Sequence, residues 1–406
     1  GARTGTNHCR ECGGDIGGVR MTNPWPTTKL GDVIDLFDSQ RIPLNSRQRQ
    51  ERQGKFPYYG AQGIIDYIDD YIFDGRYILV AEDGENLNSK KLPLALFATG
   101  KFWVNNHAHI LRGKANIADD TYLLACLNNA DIKPFVTGAA QPKLSQGNLR
   151  LIEIPLPPLP IQQRIAGILS AYDELIENSQ RRIKLLEAMA RALYREWFVH
   201  FRFPGHENHP RVPSPLGEIP QGWEVKFVKE VATVTYGFPF KSREFQTDRI
   251  GTPVIRIRDI LSGSSETFTE EKAEPKYHVK NGHILIGMDG DFHMNIWSSG
   301  HAYQNQRVAR FESKGEIGNF HLFLALEKPI QELNKAIVGT TVAHLGDMHI
   351  KAIQIIFPPK EIRVKASDFL EPLMTQIIGF KQQIQTLRRT RDLLLPRLLS
   401  GQIDVK

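Results

Sequence analysis

Tyr77-Ile78-Leu79-Val80-Ala81-Glu82-Asp83-Gly84 is written a second time, with changes, as His283-Ile284-Leu285-Ile286-Gly287-Met288-Asp289-Gly290. Each copy is an apolar run ending at Asp-Gly, the pattern of a short buried strand entering a turn. The likeness continues outward. Gly100 precedes Trp103 and Asn105, as Gly300 precedes Tyr303 and Asn305. Gly138-Ala139-Ala140-Gln141-Pro142-Lys143-Leu144 matches Gly339-Thr340-Thr341-Val342-Ala343-His344-Leu345. Apolar strands marked by Ile152 and Ile154, and by Ile353 and Ile355, then lead to Pro157-Pro158 and Pro358-Pro359. From Gly138 to Gly339 and from Pro157 to Pro358 the offset is the same, 201 positions. A period that long excludes a solenoid and implies two homologous domains in tandem.

Each half then turns helical. Ile165, Leu169, Tyr172, Ile176, Ser179, Ile183, Leu186, Ala190, Leu193 and Trp197 follow alternating steps of four and three, an unbroken heptad seam. Leu370, Leu373, Ile377, Phe380, Ile384, Leu387, Arg391, Leu394 and Leu398 do the same, and Pro396 is expected to end or kink that helix. Arg181-Arg182 and Arg388-Arg389 stand opposite the seams. Two amphipathic helices buried in separate cores are the competing reading. The strict 3.5-residue period favours a coiled coil between them.

The expected architecture is α+β: two mixed α/β domains, two long antiparallel coiled-coil helices and a pseudo-two-fold repeat. Residues 1–20 read as a flexible extension or an expression remnant, with Met21 as a normal start. The first domain is 21–155 and the first helix 156–203. A linker at 204–220 follows, with prolines at 204, 210, 213, 215 and 220. The second domain is 221–356, and 357–406 holds the second helix and a tail.

Composition fits such a protein without proving it. The chain has 406 residues, 41% hydrophobic and 24% charged, which excludes general disorder. A net charge of +6 permits nucleic-acid binding. Three cysteines argue against a disulfide framework. His8, Cys9 and Cys12 fall short of the four ligands zinc takes. No apolar run approaches the roughly 20 residues of a membrane span.

Three stretches then point to a family. Pro155-Leu156-Pro157-Pro158-Leu159-Pro160-Ile161-Gln162-Gln163-Arg164-Ile165 is the first. Leu193-Tyr194-Arg195-Glu196-Trp197-Phe198-Val199-His200-Phe201, followed by Phe203-Pro204-Gly205, is the second. Leu394-Leu395-Pro396-Arg397-Leu398-Leu399-Ser400-Gly401 is the third. Together they resemble the DNA-specificity (S) subunit of bacterial Type I restriction–modification systems, which modify host DNA and defend against phage. The resemblance covers nearly everything from Met21 onward. It implies two target-recognition domains, each reading half of an interrupted DNA site. It also implies two docked adenine-methyltransferase (M) subunits, restriction/translocase (R) subunits and a cytoplasmic location. This chain is then non-catalytic and binds no cofactor, S-adenosylmethionine being held by the M subunits. The second pre-helical segment, Phe357-Pro358-Pro359-Lys360-Glu361-Ile362-Arg363, departs by lacking Gln-Gln-Arg, so the two helices need not bind partners identically. The alternative is a coiled-coil adaptor that holds proteins and reads no DNA.

A reader needs cations for phosphates and planar polar groups for base edges. Between Leu44 and Phe56 no apolar residue occurs, so Arg41, Arg47, Arg49, Arg52 and Lys55 read as an exposed basic loop, or as a solvated loop with incidental charge. In the second domain Lys241, Arg243 and Arg249 precede Val254-Ile255-Arg256-Ile257-Arg258, read as a strand with Arg256 and Arg258 on one face. Asn106 and His107 match Gln306 and Arg307 in the repeat, and Gln141 and Lys143 match the region of His344. Equal positions with different polar chemistry suit readers of different half-sites; turn residues satisfying local backbone are the alternative. From Ile165 to Trp197 the helix spans roughly 50 Å, a spacer on the order of fifteen base pairs at most.

Catalytic motifs are missing. Asn23-Pro24-Trp25-Pro26 is not the Asn/Asp-Pro-Pro-aromatic motif of an amino-methyltransferase, and no phosphate loop occurs. Glu224-Val225-Lys226 has a nuclease-like spacing without an acidic partner and reads as surface, and His107 and His109 lack a metal-ligand set.

Overall fold

The computed structural model describes residues 25–138, 140–337 and 344–405. The Cys9/Cys12 pair, Met21, the 23–24 dipeptide and repeat positions 139 and 339–343 lie outside them. The described residues fall into two compact units.

The first unit runs to Ala171 and is completed from Thr390 onward. Its apolar runs become β1 (Thr27–Lys29), β2 (Ile34–Leu36), β3 (Gln53–Gly60), β4 (Gly63–Ile68), β5 (Phe73–Ala81), β6 (Ala95–Val104), β7 (Ala108–Gly113) and β8 (Glu153–Pro155). Six of them form one sheet in the order β2-β7-β5-β6-β3-β4, while β1 pairs with β8. β3 lies parallel to β6, with Tyr58 opposite Trp103. Ile78, Val80 and Leu111 share one core with Tyr122 and Leu127 of helix Asp120–Asn129. Phe73, Leu79, Phe102 and Ile110 form a second core. This is the alternation of a strand buried on both faces.

The second unit, Tyr172–Arg389, contains β9 (Arg211–Ser214), β10 (Gly217–Pro220), β11 (Glu224–Phe227), β12 (Ala232–Tyr236), β13 (Thr252–Ile255) and β14 (Phe268–Thr269). β15 (His278–Val279), β16 (Ile284–Gly287), β17 (Met294–Ile296), β18 (Ala302–Gln304), β19 (Val308–Ser313) and β20 (Gln354–Phe357) follow. The pairings of the first unit return. The order β12-β19-β16-β17 repeats β2-β7-β5-β6, and β11 pairs with β20 as β1 does with β8. β13 lies parallel to β18, with Val254 opposite Tyr303, the repeat mate of Trp103.

The first long helix is Leu159–Tyr194, followed by a wider turn Arg195–Val199, and the second is Lys360–Leu399. Every position of both heptad seams is buried or half-buried. In the first unit Ile165 and Leu169 share a core with Leu394, Leu395 and Leu398. In the second, Leu186, Ala190 and Leu193 share one with Leu370, Leu373 and Ile377.

Four segments fold otherwise than expected. The polar stretch 41–55 is not a loop: Asn45 caps a helix, Ser46–Glu51, and β3 begins at Gln53. Asn45 Oδ1 accepts the Gln48 N–H at 3.0 Å while Gln48 Oε1 accepts the Asn45 N–H at 2.9 Å, a capping box that sustains a short polar helix. Arg256 and Arg258 do not share a strand face. The Asp259 carboxylate accepts the Arg256 N–H at 2.9 Å and starts a helix, Ile257–Ser262, directly after β13. The second long helix passes Pro396 without ending, because a proline in the last turn removes a single N–H while Leu398 and Leu399 are held in the core. The 204–220 stretch contains the hairpin β9–β10, and Phe203, Ile219 and Trp223 enter the core of the second unit. A two-stranded hairpin is all edge, so its prolines forfeit few bonds.

Candidate nucleic-acid interface

Three separated stretches of the first unit meet at the Asp-Gly turn after β5. Glu82 N donates to His107 O at 2.9 Å and Leu144 N to Glu82 O at 2.7 Å. Asp83 and Lys143 form an antiparallel bridge. This frame sets His107 Nδ1 2.6 Å from Asp83 Oδ2 and Lys143 Nζ 3.3 Å from Glu82 Oε1.

The second unit builds the same frame. Met288 N donates to Arg307 O at 3.0 Å, Leu345 N donates to Met288 O at 2.7 Å, and Asp289 bridges His344. Asp289 lies 2.6 Å from His344 Nδ1 and 3.3 Å from Arg307 Nε. A second close approach, of the 237–238 backbone to the same turn, has a sequence cause. A side chain at Gly237 would place its Cβ 1.9 Å from the carbonyl oxygen of Asn305, so only glycine fits beside the 305–307 turn. One backbone arrangement therefore displays His and Lys in one unit and Arg and His in the other.

Beside the first frame lies an open cleft of about 550 Å³, lined by Asn45, Gln48, Arg49, Ile65, Asn106 and His107 among others. The helix Ser46–Glu51 supplies one wall and the β6–β7 turn another. The remaining candidates are dispersed. Arg41 turns inward, its Nη1 2.8 Å from Glu82 Oε2 and 2.8 Å from Ala108 O. Arg49 is braced by Asp66 at 3.1 Å, and Arg52 by Asp69 at 2.9 Å. Arg47 is exposed and reaches Glu51, while Lys55 lies over Phe56. Gln141 and Gln306 are exposed next to their frames.

In the second unit Lys241 and Arg243 flank Glu244 at 3.7 and 3.8 Å, and Arg249 pairs with Glu266 at 3.2 Å. Arg256 stacks over Phe245, and Arg258 lies 3.3 Å from Thr267 Oγ1.

The acidic half of these frames escaped sequence reasoning. Asp83 and Asp289 occupy matching repeat positions, and that coincidence was the available signal. Asp38 was also missed. It lies 2.6 Å from buried His109, whose other ring nitrogen faces Leu144 O at 2.8 Å. Burial opposes ionisation of Asp38, but the bonds to His109 and the Ile110 N–H outweigh it and hold the carboxyl below its usual range. Glu224 and Lys226 are 3.3 Å apart on β11. Among the described residues no group of three or more His, Cys, Asp or Glu could hold a metal, and no helix is long and apolar enough to cross a membrane.

The chain is thus a duplicated mixed α/β domain that twice presents polar, cation-bearing turns on one backbone frame. Comparison with known proteins identifies its family. The model of the Type I restriction modification DNA specificity domain matches residues 22–188 and 220–389. The MjaIX specificity subunit of Methanocaldococcus jannaschii is 29% identical over 97% of this chain and 96% of its own. A Haemophilus influenzae protein named as a type I specificity subunit is 37% identical over 85% of this chain and 86% of its own. In fold the chain is similar to the S subunit of M. genitalium, with a TM-score of 0.64 at 16% identity over 94% of this chain and 97% of that one. The chain belongs to the Type I restriction–modification DNA-specificity family, in which catalysis is carried by separate subunits.

Proposed function

We propose that this chain reads a two-part asymmetric DNA site, one half with each domain, and that its long helices pair antiparallel as a coiled coil setting the gap. The observation that carries the reading is the duplicated frame: Asp83 with His107 and Lys143, and Asp289 with Arg307 and His344. Equal backbone with unequal hydrogen-bonding chemistry suits two readers of two different half-sites. The order of shared cores supports antiparallel pairing, because the start of one helix meets the end of the other in one unit and the converse holds in the second. A pseudo-two-fold relation between the domains would face them to opposite strands. On this reading two methyltransferase subunits dock on the chain, restriction/translocase subunits join them, S-adenosylmethionine is held by the methyltransferases, and the complex works in the cytoplasm.

The test is a genome-wide map of N6-methyladenine in cells carrying this chain with its neighbouring methyltransferase. A two-part motif with a constant gap, lost on deletion of this chain, is the expected result. Unchanged methylation despite a stable complex would favour a protein-binding adaptor.

A further inference from the structure

The edge strand β4 breaks the alternation of a half-buried strand: Ile64 and Ile65 are consecutive, yet 45% and 53% exposed. The cause is a bulge. Tyr58 pairs with Asp66 and Tyr59 with Ile64, which leaves Ile65 without a partner across the ladder. Bulges re-aim side chains, and here Ile65 lines the cleft that also holds Asn45, Gln48, Asn106 and His107. Gly60 leaves room for it, since a Cβ there would stand 3.1 Å from Ile65 Cγ2. An exposed apolar edge invites aggregation, so its retention points to a surface that is covered in use.

The lining also says by what. Side-chain amides match the N6 and N7 positions of adenine, and the thymine C5-methyl is the apolar feature of the major groove. The Asn45 and Gln48 oxygens already serve the capping box, so Asn106 is the amide that carries the argument, and an amide beside an exposed isoleucine is complementary to an A·T pair. In the second unit the helix Ile257–Ser262 stands between β13 and its antiparallel partner β14, which is only Phe268–Thr269, so the long bulged hairpin that presents Ile65 is reduced there to two paired residues. We infer that Ile65 reads the C5-methyl group of a thymine in the half-site contacted by the first domain. The inference rests on the DNA-reading function proposed above.

The test uses the full chain with its methyltransferase subunits and duplexes bearing the mapped site. Exchanging residues 21–155 with those of a relative assigns the first half-site. Each thymine there is replaced in turn by deoxyuridine, which removes only the methyl, and binding is followed by fluorescence anisotropy. Wild type is expected to lose about fourfold at one position, the equivalent of one buried methyl. Ile65→Ala is expected to lose as much on the thymine duplex and to be indifferent to the exchange; the exposed position leaves folding unaffected. Deoxyuridine neutral at every position, full sensitivity retained by Ile65→Ala, or a first half-site without thymine on either strand each overturns the inference alone. Failure of wild type to distinguish the mapped site from a scrambled duplex overturns the DNA-reading function itself.

Discussion

Gln162 Oε1 accepts the backbone N–H of Asp119 at 2.9 Å from a wholly buried position. Its amide nitrogen donates to Ile117 O at 3.0 Å and to Pro157 O at 2.8 Å. The first glutamine of Gln162-Gln163-Arg164 thus bolts the helix to its own domain. In the second half Arg363 does similar work, donating to Glu316 O at 2.7 Å. Gln162→Ala orphans three backbone groups, each at a cost of roughly 1–3 kcal/mol. The first unit is expected to lose about 3 kcal/mol or more, read as faster hydrogen exchange along β5 and β6. Unchanged protection would show that the motif serves something other than this joint.

The second unit is expected to weaken in acid. His321 is buried with its ring 4.4 Å from that of Phe198, and its Nδ1 has no partner. Burial, with Arg363 nearby, pushes its imidazole down to about 4. The fold keeps this histidine neutral while the unfolded chain protonates it near 6.5. The stability it contributes is therefore complete above that value and drains as the pH falls toward 4. Burial and Arg310 push His283 down to about 4 as well, in the same direction. Burial raises the Glu371 carboxyl, so the folded chain takes up that proton above the usual carboxylate range and offsets part of the loss as the pH falls. Urea unfolding at pH 7 and pH 5 should differ by about 2 kcal/mol for each of the two histidines before that offset, and His321→Leu should remove roughly half of the histidine contribution while leaving that of His283.

Asp83 and Asp289 are positioning groups for the side chains that face solvent beside them. Asp83→Asn should relax discrimination roughly tenfold to a hundredfold at one half-site, and Asp289→Asn should do so at the other. Motif mapping by methylation checks both. A variant that degrades both halves at once would contradict a division of labour between the domains.

Deleting one heptad from each long helix removes about 10 Å. The recognised gap should shorten by roughly three base pairs with both half-sites unchanged. Altered half-sites with a constant gap would refute the spacer.

The features legible in sequence are the local and periodic ones. The Asp-Gly turns after β5 and β16 and both helix seams follow from apolar spacing within a few residues. The inward turn of Arg41 was not legible, because its partner Glu82 lies 41 positions away. The helix Ser46–Glu51 has no apolar period at all. Its signal was the Asn45–Gln48 capping box, which a reading based on hydrophobicity passes over. The parallel pairing of β3 with β6 depends on a crossover that no local pattern encodes. The cleft that holds Ile65 arises from that pairing and from a one-residue bulge.

Arg164 donates to Val405 O across 241 positions, and Leu398, Leu399 and Val405 complete the core that Leu30 and Ile34 begin. A ribosome delivers these groups in the opposite order of need. The second unit, continuous from Tyr172 to Arg389, has all its core residues before the last stretch is translated. The first must wait for that stretch with part of its apolar surface uncovered. A stop codon just after Arg389 would thus damage the remote N-terminal domain and spare the adjacent one: the domain made first is the one finished last.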